Sequence, residues 1–179
     1  MELYNEEIER AELYKLFSSL FMKEPPEDIL VELKDMFQMR FNDTQEEIAS
    51  DFALLFLGTD PHLSPHESLH RYALEETPKL WGSATKEVQT FYRSVQLMVD
   101  EEMALIPDHL TVELLFMSYL VENNFVEQQK AFMEKHLMQW VPDYCGEIES
   151  HARTTFYVEI AVLVREFIIS DHEKLSGGS

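Results

Sequence analysis

The chain has 179 residues, with 14 Lys and Arg against 34 Asp and Glu, a formal net charge of −20. That length fits one compact domain, and 45% apolar residues supply ample core. The charge repels nucleic-acid phosphates and anionic membranes, so no nucleic acid is expected among its ligands and a charged macromolecular partner is expected to be basic; acidity that serves only solubility is the competing reading.

The single cysteine, Cys145, excludes an internal disulfide and a multi-thiolate metal site, which suits the cytoplasm. The opening MELYNEEIERAELY carries acids where a signal peptide carries bases, and no apolar h-region follows. The most apolar segment, residues 156–169, contains Glu159, Arg165 and Glu166 and is too short and too charged for membrane insertion. Residues 1–175 are read as the domain, and the terminal SGGS, residues 176–179, as a disordered tail.

Leu13, Leu16, Phe17, Leu20 and Phe21 recur at helical spacing, and Pro25-Pro26 ends that stripe. A second helix is expected from about Glu27 to Phe37. Thr44 and Glu47 form a capping box ahead of Ile48, Phe52, Leu55 and Phe56, with Gly58 as the C-terminal stop. A turn-rich linker then leads to SPHESLH, Ser64 to His70. Thr85 caps a long helix with inner face Val88, Phe91, Tyr92, Val95 and Val99, expected to end before Pro107. Asp108 begins the next and can cap it; its stripe is Leu110, Leu114, Met117 and Val121, and Asn123-Asn124 marks its end. Val126, Met133, Leu137 and Trp140 align along another helix, Pro142 restarts the chain, and a last helix runs from about His151 to Asp171. The run VEIAVLV is β-branched, but its length and lack of turn signals favour a helix. With no sustained strand alternation and no solenoid-like repeat, the expected fold is all-α, a single domain of about eight to ten helices.

HESLH matches the H-E-x-x-H pattern of zinc hydrolases, in which His66 and His70 face one ion and Glu67 polarises its water. A zinc-dependent hydrolase is therefore the alternative function. Against it, Ser64, Pro65 and Glu67 read as N-cap, N1 and N3 of a capping box that engages Glu67. The positions of a further ligand motif hold Ala73 and Glu76, and Pro65 separates His62 from the face of His66. Glu67 and His70 supply a single E-x-x-H, where a di-iron bundle needs two. No metal site, cofactor or catalytic residue is assigned.

IPDHLTVELLFM, Ile106 to Met117, places His109 and Glu113 at i and i+4 in the first turns of a helix. The plain reading is a capped helix with an exposed His-Glu pair. An Asp-His step suggests general-base chemistry, but no nucleophile is tied to it, and Ser118 belongs to a different turn.

PHESLH, then Phe91-Tyr92, then PDHLTVELLFMSYL together resemble the TorD/DmsD/NarJ family, cytoplasmic maturation chaperones of molybdenum redox enzymes, over roughly Leu54 to Leu120. His66 and His70 stand where members of that family commonly carry aromatics. The glycine usual in the helix before P-D-H has no counterpart in Val95-Gln96-Leu97.

The resemblance implies a TorD-like helical fold and a chaperone rather than an enzyme, one that binds the twin-arginine signal peptide of an apo-molybdoenzyme and assists cofactor insertion before export. It implies leader contacts at Ser68, Leu69, Trp81, Asp108 and His109, and Glu67 and Glu113 are placed with them in the expected peptide site. Two arginines and an apolar segment need carboxylates beside an apolar groove, and Asp100, Glu101, Glu102, Asp108 and Glu113 gather around the Pro107 turn. A solvated acidic cluster is the competing reading. Trp81 is either a flat apolar contact or a packing residue at a loop, and His109 either bonds a leader carbonyl or is a satisfied first-turn histidine. Met98, Met103 and Met117 suit an adaptable groove or plain core. The helices flanking residues 104–108 can meet at a hinge between two lobes; some relatives exchange lobes between subunits, so a homodimer is open. No phosphate loop is found among five glycines.

Overall fold

A computed structural model describes residues 2–60, 62–72, 77–98 and 105–177, with side chains from residue 7 onward. Among these residues the chain folds as α1 (Glu2–Met22), α2 (Glu27–Phe37), α3 (Gln45–Phe56), α4 (Glu67–His70), α5 (Ser83–Ser94), α6 (Leu110–Glu122), α7 (Val126–Phe132), a π-helical segment (Met133–Leu137), α8 (Met138–His151) and α9 (Thr155–Gly177). The fold is all-α, and its one strand-like feature among the described residues is an isolated antiparallel bridge between His66 and His109.

α6 is buried on nearly every side, from Leu110 and Thr111 through Phe116 and Met117 to Val121. A helix apolar all round has no solvent face to declare, which is why its sequence shows little amphipathic contrast. α1 packs along it and α8 packs along α9. One apolar cluster runs from Ala11 to Ile168 and takes in residues on both sides of the 104–108 segment. Tyr92, Phe116 and Phe132 join α5, α6 and α7 through edge-on ring contacts, Phe116 lying 4.6 Å from Tyr92 and 4.9 Å from Phe132.

Local chemistry explains most boundaries. The Thr44 hydroxyl accepts from the Glu47 amide, and the Glu47 carboxylate accepts from the Thr44 amide, as the capping box requires. Gly58 follows α3 without a left-handed backbone; a Cβ there would lie 2.8 Å from the Leu54 carbonyl oxygen, so close approach is what requires glycine. α6 ends in a Schellman turn, with the Phe125 amide on Leu120 O and the Asn124 amide on Val121 O.

Three expected features change. α5 stops at Ser94 rather than running on toward Pro107, because the Leu97 amide bonds Tyr92 O and the Gln96 amide bonds Arg93 O in a second Schellman turn. Gln96 takes φ 63° there, so a glutamine occupies the left-handed position that glycine fills at least strain. Pro142 does not restart the chain: it lies inside α8, and the π-helical turn just upstream already departs from the regular ladder. α9 begins at Thr155 and carries on to Gly177, two residues into the segment set apart as tail. Ala73, Glu76, Val99, Asp100, Glu101, Glu102 and Met103 lie outside the described residues.

Candidate functional site: a buried clasp between two motifs

The HESLH and P-D-H segments meet. Leu110 donates its amide to Pro65 O at 2.8 Å, and Glu67 donates its own to Asp108 O at 3.0 Å, one on each side of the His66–His109 bridge. The two imidazoles meet edge to face at 4.9 Å.

This pairing replaces the capping box expected at Ser64. α4 is four residues long with His66 as N-cap and no side-chain cap from within the segment; the Ser64 hydroxyl bonds His66 Nδ1 instead. The cap comes from across the fold. Asp108 Oδ2 accepts from the Ser68 amide at 2.8 Å, while Oδ1 accepts from the Thr85 hydroxyl at 2.8 Å. Asp108 therefore does not cap α6. His109 does, its Nδ1 accepting from the Thr111 amide at 3.1 Å. That bond needs a free lone pair, and burial, followed by repulsion from His66, lowers the His109 pKa to about 3. His109 is a neutral, satisfied first-turn histidine.

Glu67 turns inward. Its carboxylate is 0% exposed and accepts from Arg71 Nε at 2.5 Å and from His136 Nδ1 at 2.9 and 3.0 Å. Arg71 reaches on to Glu87 at 2.8 Å. Glu113, also 0% exposed, accepts from Trp140 Nε1 at 3.1 Å. Burial first, then repulsion from Glu67, raises the Glu113 pKa well above the ordinary carboxylate value. Its second oxygen has no donor facing it, which further disfavours the charged form and keeps the proton on Glu113. The expected exposed His109–Glu113 pair is thus two buried groups with different partners.

The zinc reading fails on the same geometry. His66 faces His109, while His70 stacks on Trp140 at 5.2 Å and donates from Nε2 to Ser64 O at 2.7 Å. The two rings serve different neighbours, and Glu67 is held by Arg71 and His136. Among the described residues no group of His, Cys, Asp and Glu is arranged to hold a metal ion.

Of the seven expected peptide-site residues, Glu67, Ser68, Asp108, His109 and Glu113 are interior, Leu69 is half-buried, and Trp81 is 57% exposed. Trp81 sits at φ 63° in the turn before α5. The adjoining Gly82 lies against Ser68, so close that an added Cβ would be 3.4 Å from the serine Cβ. Leu69 and Trp81 therefore flank one contact between α4 and α5, and Tyr72 and Leu80, 47% and 44% exposed, neighbour them in the chain. Sequence reasoning missed His136, Arg71 and the indole of Trp140. One signal was present: His136 lies on the apolar stripe of Met133, Leu137 and Trp140, and an ionisable group there must find a buried partner.

These features define an all-helical protein in which two motifs are clasped at the head of its central helix by buried polar groups. The family model described as nitrate reductase delta subunit matches residues 22–146, more than half of the chain, and the chain belongs to that family. Among its relatives are proteins named Chaperone protein TorD. That of Vibrio parahaemolyticus is 29% identical over 217 aligned residues, covering 99% of this chain and 98% of the relative. Those of Shewanella piezotolerans and a Psychrobacter species are 26% and 28% identical, over 95% and 91% of this chain and 94% and 77% of theirs. The family is one of chaperones, and the protein is not an enzyme. Among the described residues no helix is long and apolar enough to cross a membrane.

Proposed function

We propose that this protein is a cytoplasmic chaperone that binds the twin-arginine signal peptide of an apo-molybdenum oxidoreductase and shields it while cofactor is inserted. The observation that carries the reading is Trp81, an indole 57% exposed in a left-handed backbone position beside α4. An exposed tryptophan held in strained backbone is a poor use of an apolar side chain unless something covers it. The loop-packing alternative leaves it too little contact.

The peptide site then divides by role. Leu69 and Trp81 touch the apolar part of the leader, with Tyr72 and Leu80 beside them. Ser68, Asp108 and His109 hold α4 against the head of α6, and Glu67 and Glu113 set its inner side. Guanidinium groups are received by accessible acids such as Glu87, which is exposed and which Arg71 engages through one carboxylate oxygen alone, since Glu67, Asp108 and Glu113 are 0% exposed and out of a ligand's reach. This makes Asp108 and His109 positioning residues for the leader.

Fluorescence anisotropy with a labelled twin-arginine leader tests the reading. Trp81→Ala is expected to weaken binding about tenfold with an unchanged melting temperature, as loss of a central aromatic anchor does. A leader whose Arg-Arg is replaced by Ala-Ala should bind weakly, and equal affinity for the two leaders would overturn the proposal.

A further inference from the structure

Away from the clasp, α1 and α2 bound an open groove of about 740 Å³. Leu13, Leu16 and Phe37 form its half-buried floor; Ile8 and Met36, 44% and 50% exposed, form its walls. Glu9, Glu12 and Glu32 line it as well and are exposed. Lys15 is the one base among the described lining residues, and both Glu12 and Glu122 already hold it. α2 turns Leu30 and Leu33 into the core, which leaves Met36 on the groove side and Val31 exposed.

We propose that this groove docks a basic amphipathic helix of a partner protein. From Ile8 to Leu16 the axis of α1 rises about 12 Å, close to the i to i+7 span of one apolar stripe. Such a stripe lies on Leu13, Leu16 and Phe37, with cations on its two flanks opposite Glu9 and Glu12 from α1 and Glu32 from α2. Charge selects among the candidates. A second copy of this chain, at −20, sets acid against acid, and phosphate-bearing lipid or nucleic acid is repelled. An uncharged apolar helix desolvates the glutamates without replacing the lost water contacts.

The test uses the whole chain and a labelled synthetic helix of about 18 residues, leucines at i, i+3, i+4 and i+7 and lysines on both flanks. Comparators carry the same stripe flanked by glutamates, or the same composition scrambled. The basic helix is expected to bind, and to weaken about tenfold or more in Met36→Glu, in Glu32→Lys and on raising salt from about 50 to about 500 mM. Melting temperatures should hold, since both side chains are exposed. Trp81→Ala should leave this binding intact and Met36→Glu should leave leader affinity intact, so either proposal can fail without the other. Three results overturn the groove proposal: equal binding of the acidic or scrambled helix, no effect of Met36→Glu, or a fall in leader affinity in Met36→Glu, which gives the groove to the leader. Self-association abolished by Met36→Glu also overturns it, by assigning the groove to a second copy.

Discussion

Burial sorts the acids of the clasp by what each can find to neutralise it. Glu67 has Arg71 and His136, Asp108 has an amide and a hydroxyl, and Glu113 has only the Trp140 indole beside the Glu67 carboxylate, so burial and that repulsion raise the Glu113 pKa and it keeps its proton. The folded state then binds a proton that the unfolded chain releases above about pH 4.5, and each step up in pH through that window costs stability. Glu113→Gln supplies a donor and an acceptor of the same shape without that titration. The variant is expected to match the parent near pH 4.5 and to melt higher as pH rises to about 8, each 1 kcal/mol appearing as about 2–4 °C. The buried histidines slope the other way. His66 and His70 are lowered by burial and His109 falls to about 3, so all three destabilise the fold as pH drops below 6.5, in parent and variant alike. A Glu113→Gln protein that loses stability at neutral pH would show that Glu113 is ionised.

α4 is a single turn, too short to stand on its own hydrogen bonds, and its N-terminus is held by a carboxylate 40 residues along the chain. Asp108→Ala strands the Ser68 amide and the Thr85 hydroxyl in the interior, and a loss of about 2–4 kcal/mol is expected from urea unfolding. Asp108→Asn should lose less, because the amide can turn its oxygen to Ser68 and its nitrogen to the Thr85 oxygen. Hydrogen exchange at the Ser68 amide is the specific readout: protection falls in the alanine variant and largely persists in the asparagine one. The same element shows where the sequence was legible. α2 and the Thr44–Glu47 box were readable because their signals lie within one or two turns. The order of the PHESLH and P-D-H motifs was readable too, but not that one caps the other, since Ser64-Pro65-x-Glu67 spells a local box that the fold declines. α5 hid its end because Gln96, not glycine, takes the left-handed position, and His136 hid as one polar residue on an apolar stripe.

At the scale of the whole molecule, a charge of −20 and a core shared across the 104–108 segment pull on stability in different ways. The continuous cluster, with α1 along α6 and rings of α5, α6 and α7 in contact, ties the two sides of Pro107 into one cooperative unit. Calorimetry is therefore expected to show a single transition, and two resolved transitions would restore the hinge between independent lobes. The surplus of acids acts over distances longer than any one ion pair. At about 10 mM salt the screening length is about 30 Å, so acids across the molecule repel; at about 0.3 M it is below 8 Å and that repulsion is largely gone. The melting temperature should accordingly rise with sodium chloride over that range, while the Glu67–Arg71 pair, with a fully buried carboxylate, responds little. The surface bridges of Lys15 to Glu12 and Glu122 weaken over the same range, but exposed pairs of this kind contribute under about 1 kcal/mol each. A basic partner reverses the sign, because the field that strains the folded chain also attracts cations. Salt should therefore raise the melting temperature and weaken leader binding in one titration, and a melting temperature that falls as salt rises would mean that local ion pairs, not net charge, dominate this surface.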